Sequence, residues 1–189
     1  MKMISGIFIL ILTSLSPALA HWSDTSEHGF IMGMTHPMSG LDHVLAMVTI
    51  GLWAGLVGGS ARWVWPLTFV VIAGLSALFG LAGYQISNLE PVIALTVIGL
   101  GTFVTFRLKL PLVTGMVLSG GAAFVHGYAH GLEMAATQNV TGFLVGFLLA
   151  TSMLHAIGIM LSRQLNGSID RVLGGMIALC GTFILLMTV

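Results

Sequence analysis

Apolar stretches of bilayer-crossing length recur six times along this chain, separated only by short connections. They run approximately 37–58, 63–84, 91–106, 110–130, 140–161 and 169–188. A helix needs roughly 20 mainly apolar residues to cross the hydrocarbon core. The third stretch is short, which suits tilt or burial within a bundle. Charge is correspondingly scarce, with six basic and six acidic side chains in 189 residues. Only 6% of residues are charged, 57% are hydrophobic, and mean hydropathy is +1.05. A soluble domain carries about 25% charged residues, so this composition cannot build a water-facing surface. The expected fold is an all-α, polytopic membrane helical bundle of six transmembrane helices in a single domain over residues 21–189. Net charge is zero and there is no basic patch, so the surrounding partner is a lipid bilayer and not nucleic acid. The one cysteine, Cys180, lies in an apolar run. Disulfide frameworks and cysteine zinc sites are thereby excluded.

Residues 1–20 have the layout of a cleavable signal peptide. Lys2 gives the positive start, Ile4 to Leu15 the apolar region, and Pro17-Ala18-Leu19-Ala20 a small-x-small end. An uncleaved signal anchor is the alternative. Cleavage after Ala20 would expose His21, whose α-amine and imidazole form a chelating pair outside. With that end outside, Arg62, Arg107, Lys109, Arg163 and Arg171 all fall in inner loops, as the positive-inside rule requires. Asp24, Glu27, Glu90 and Glu133 fall outside or at the outer edge. Both mature termini face outward in this topology, which suits a bacterial cytoplasmic (inner) membrane. Gly51, Gly55 and Gly59, and likewise Gly142 and Gly146, recur at fourfold spacing, a pattern that lets helix backbones approach closely. Three spans per half would invert spans 4–6 relative to spans 1–3, as in many transporters.

Of seven histidines, four lie in two short runs at or inside apolar segments. Ionisable groups there are costly to insert and mark functional sites by default. Imidazole with carboxylate suits borderline divalent metals. The first run is His36-Pro37-Met38-Ser39-Gly40-Leu41-Asp42-His43. Pro37 fits a first helical position and disfavours helix at its predecessor, which predicts His36 at a helix mouth. His43, seven residues on, would share its face about 10 Å deeper. Asp42 sits roughly 100° around from His43 on a helix, beside the same ion or stapling a neighbouring helix. In the second run His126, His130 and Glu133 fall at i, i+4 and i+7, on one helical face. His-x3-His lets two imidazoles hold one metal; a polar helix contact is the alternative. Gly127 and Gly131 between them lower bulk for a helix or an ion.

Four further positions enter as lesser candidates. His155 should lie about 20 Å into the fifth span, as an inner relay or a hydrogen-bonded helix contact. Glu90, before Pro91, is either a vestibule ligand or a carboxylate settled at a helix N-terminus. His21 and His28, with Asp24 and Glu27, could collect cations outside or form a solvated tail. Met32, Met34, Met38 and Met47 surround the first run; thioethers suit Cu(I), but such methionines mostly fill apolar space.

The run from His36 to His43 fits the pattern HPxxGxDH, the signature of the HupE/UreJ family, which the chain resembles over essentially its whole length. Phe124-Val125-His126-Gly127-Tyr128-Ala129-His130-Gly131-Leu132-Glu133 resembles that family's second histidine-glycine motif. The stretch from Ala150 and Thr151 to His155 and Gly158 resembles a further shared segment. The resemblance implies a nickel permease serving hydrogenase or urease maturation, with cobalt as the related alternative. It carries His36, Asp42, His43, His130 and Glu133 over as the metal path, and implies cytoplasmic nickel chaperones as downstream partners.

The expected function is uptake of Ni²⁺ as substrate, with no resident cofactor. External groups capture the ion, Asp42, His43, His130 and Glu133 replace its hydration shell, and His126 and His155 pass it inward. No GxxxxGK[ST] loop is present, so the chain has no ATPase of its own. Facilitated diffusion suffices, since 100 mV drives a divalent cation by roughly 4.6 kcal/mol. An intramembrane metalloenzyme is disfavoured because Gly127 stands where HExxH places its general base. A haem-binding redox bundle and a metal-binding sensor or accessory subunit complete the alternatives.

Overall fold

The computed structural model describes residues 26–83, 86, 88–134, 137, 139–165 and 167–188, with backbone alone for 26–28. The expected signal peptide, its cleavage site and His21 lie outside the described residues. Among those described there are seven helices and no strand. In chain order they are α1 (Ser26–Ser39), α2 (Leu41–Val57), α3 (Ala61–Leu81), α4 (Leu89–Thr105), α5 (Leu112–Met134), α6 (Val140–Ser162) and α7 (Gly167–Thr188). Helices α3, α5, α6 and α7 are each long and apolar enough to cross a membrane, and the α1–α2 pair qualifies as a fifth if taken as one broken span. Helix α4, over the stretch expected to be short, has 17 residues. Large apolar side chains stand outward, among them Leu179, Phe183, Leu186 and Met187 on α7, as a lipid-facing surface requires.

The start of the first span differs from expectation. Residues 26–39, which overlap the expected start of that span at 37, form a helix of their own, and Pro37 sits inside its last turn. Gly40, extended at φ −93° and ψ 117°, separates it from α2. The two axes meet at 84°. His36 is therefore helical, not extended at a helix mouth, and shares no helix face with His43. Tertiary packing overrides the local effect of Pro37. A methyl group on Gly33 would enter the backbone of Phe143, and one on Gly146 would enter the carbonyl of Phe30. Helices α1 and α6 thus touch backbone to backbone, which only glycine at these positions permits.

The same device assembles the rest. Gly127 and Gly131 on α5 lie against the carbonyls of Ala73 and Ala77 on α3, so their missing side chains admit a helix. Gly51 and Gly55 on α2 meet His155, Ile159 and Ser162 on α6, while Gly59 lies in a turn with open space around it. Helix α4 pairs with α7 through Gly101 and Gly174. Exchanging α2–α4 with α5–α7 leaves these glycine-mediated pairings unchanged.

Arg62 in the first turn of α3 and the loop residues Arg107, Lys109 and Arg163 share one end of the bundle. Two fully buried indoles tie that end together. Trp53 Nε1 donates to the Leu108 carbonyl and Trp65 Nε1 to the Leu112 carbonyl, both at 2.9 Å, with the ring centroids 4.2 Å apart. Asp170 lies at this basic end and departs from the expected outward bias of acids. It is fully buried, with Arg107 Nε 3.5 Å from Oδ2. Gly167 leaves the space the guanidinium occupies, and Arg107 itself takes a left-handed φ of 52°. Arg107→Ala strands a buried carboxylate and should destabilise the protein by about 2 kcal/mol, a moderate figure because Arg107 is half exposed. Thermal unfolding in detergent measures this. Adding Asp170→Asn should restore part of the loss.

Candidate metal centre

Helix α5 supplies the stripe that its spacing predicts. His126, His130 and Glu133 follow one face, and the adjacent glycine face holds α3 against it. The 84° bend then brings α1 back over the end of this stripe. His36 Nε2 meets Glu133 Oε2 at 2.5 Å, and His130 Nδ1 lies 3.3 Å from the same oxygen. His36, His130 and Glu133 offer ligand atoms all within 4.8 Å of one another. Among the described residues no other three His, Cys, Asp or Glu side chains converge in this way. Two imidazoles and a carboxylate make a donor set suited to a borderline divalent cation.

From this cluster the histidines continue inward as a column. Ring centroids are 5.2 Å apart for His36 and His130, 4.3 Å for His130 and His43, and 4.7 Å for His43 and His126. Phe69 follows at 6.1 Å, and His155 lies 4.9 Å beyond it. The outer end is the exposed one: Glu133 is 51% and His36 34% exposed at the side chain, whereas His126 is fully buried and His155 nearly so.

Asp42 bonds within its own helix, to His43. Its Oδ1 accepts from the backbone N–H of His43 at 2.8 Å and from His43 Nδ1 at 2.9 Å. It therefore orients its own neighbour, from the first turn of α2, where the helix N-terminus favours a carboxylate. Gly40 is needed for this arrangement, because a methyl group there would lie 2.9 Å from Asp42 Oδ1 and 3.1 Å from His43 Nδ1. His155 Nδ1 donates to the Met47 carbonyl at 2.6 Å, and Thr96 on α4 meets His126 Nε2 at 2.9 Å. Neither partner was foreseen; a backbone carbonyl has no sequence signature, and a lone threonine in an apolar span has little. Buried ring nitrogens on His43, His126, His130 and His155 have no hydrogen-bond partner in the structure.

The remaining candidates stand apart. Glu90 is exposed in the first turn of α4, outside the converging group. His28 lies in the first turn of α1, and its side chain is outside the described ones. Met32 and Met38 are exposed, and Met47 is core.

Residues 9–184 match the family described as HupE / UreJ protein. Protein HupE of Rhizobium leguminosarum bv. viciae is 40% identical over 175 residues, which cover 89% of this chain and 91% of that one. No solved structure matches the chain.

Proposed function

Since this chain belongs to the HupE/UreJ family, we propose that it is a membrane permease admitting a divalent transition-metal cation, Ni²⁺ first, by facilitated diffusion. The carrying observation is the convergence of His36, His130 and Glu133, with ligand atoms within 4.8 Å, at the head of a buried histidine column. Glu133 and His36, the most exposed members, meet the hydrated ion. His130 is shared between them and the deeper rings. Three donors at this cluster hold the ion firmly enough to select and loosely enough to release. In this reading the histidine end faces the cell exterior, the basic end faces the cytoplasm of a bacterium, and the six apolar segments all cross the inner membrane. The delivered ion passes to cytoplasmic nickel chaperones for metalloenzyme maturation. The same donor set also suits Co²⁺, so cobalt is the competing substrate. No step requires catalysis.

Reconstitution in liposomes tests the reading. Wild type should admit Ni²⁺, with Co²⁺, Zn²⁺ and Cu⁺ as comparisons, and Asp42→Ala and Glu133→Ala should each reduce entry. Passage of none of the four ions ends the permease reading, and wild-type entry in both variants ends the site assignment. Protons compete with metal for imidazole, so entry should weaken as the external medium is acidified. Entry that does not change on acidification contradicts imidazole ligands.

A further inference from the structure

Proton bookkeeping around His126 leads beyond the entry cluster. The Thr96 hydroxyl lies 2.7 Å from the Ile93 carbonyl and 2.9 Å from His126 Nε2. A hydroxyl has one proton, and a carbonyl only accepts. Both contacts are hydrogen bonds together only if Thr96 donates to Ile93 and accepts from His126. The proton of neutral His126 then sits on Nε2, and the lone pair sits on Nδ1, which is buried and unpartnered. His43 is set the same way. Its Nδ1 donates to Asp42, leaving a buried, unpartnered Nε2. The two rings are neighbours, 4.7 Å apart at 80°. Anchoring one ring N–H so that the other nitrogen faces a metal is how proteins orient histidine ligands.

We propose that Thr96 is a positioning residue which locks His126 as the Nε2–H tautomer, so that His126 and His43 form a second, deeper station for a divalent cation. The ion would move from His36, His130 and Glu133 to this pair with His130 as the common neighbour. The proposal rests on the permease reading for its role in transport, but the tautomer and the binding it asserts do not depend on flux.

The test uses full-length protein in bilayers with ring-¹⁵N histidine, with His126 assigned by difference against His126→Gln. Wild type should show a protonated Nε2 and a bare Nδ1 at His126. Thr96→Val, close in shape but without the acceptor, should lose that single tautomer, and Thr96→Ser should keep it. Zn²⁺, a diamagnetic probe, should shift the His126 Nδ1 signal in wild type and Thr96→Ser, and about 10-fold more zinc should be needed in Thr96→Val. Ni²⁺ entry at saturation should fall by a similar factor in Thr96→Val with the half-saturating concentration unchanged, since the entry cluster is intact. An unaltered His155 signal, held by Met47, verifies the fold of each variant. The proposal is overturned if Thr96→Val keeps the wild-type tautomer, if Thr96→Ser behaves like Thr96→Val, or if zinc never reaches His126 in wild type. Absence of Ni²⁺ entry in wild type would overturn the permease reading alone, with the resonances still deciding the role of Thr96.

Discussion

His130→Ala should lower Ni²⁺ entry into proteoliposomes on the order of 100-fold, the largest effect of any single substitution in the column. His130 is the one ring that neighbours both His36 and His43 and also approaches Glu133. Its removal takes a ligand from the entry cluster and interrupts the route to the deeper rings. His36→Ala should be milder, because His36 serves only the partly exposed entry cluster. The side chain of His130 is almost wholly buried, so truncation also leaves a cavity. Thermal unfolding in detergent separates that loss from the loss of transport. Equal entry in His130→Ala and wild type, in folded protein, would remove the column from the pathway.

Gly33→Val should act at a distance. Its branched side chain would enter the backbone of Phe143, where even a methyl group has no room, and overpacking of this kind costs about 1–3 kcal/mol. The strain is relieved by lifting α1 from α6, which carries His36 away from Glu133. Entry should fall about 10-fold while the α2–α7 bundle remains folded. Because both changes remove the same contribution, Gly33→Val combined with His36→Ala should be no worse than the more severe single variant, a non-additivity that coupled positions show. Independent, multiplying effects would mean that docking of α1 serves something other than placing His36.

The sequence made some of this legible and hid the rest, for physical reasons. Hydropathy is a local property, so the apolar segments underlying α2 to α7 could be read directly. The stripe of His126, His130 and Glu133 was equally plain, because one helix sets its geometry. His36 was misplaced. Its helical state and its approach to Glu133 depend on Gly33 meeting Phe143, 110 residues away in sequence, and no spacing rule on the first run contains that contact. The turn of Asp42 onto His43 beside the extended Gly40 is likewise invisible to helical spacing. Thr96, the Met47 carbonyl and the buried Asp170 acquire their places only when helices meet.

The central claim is that His36 on α1 joins His130 and Glu133 on α5 around one divalent cation. X-ray absorption at the nickel edge, on protein in bilayers loaded with one equivalent of Ni²⁺, tests it most directly. Two imidazoles should appear in the coordination shell of wild type, one in His36→Ala and one in His130→Ala. A shell of oxygen alone, or one that neither substitution alters, would contradict it.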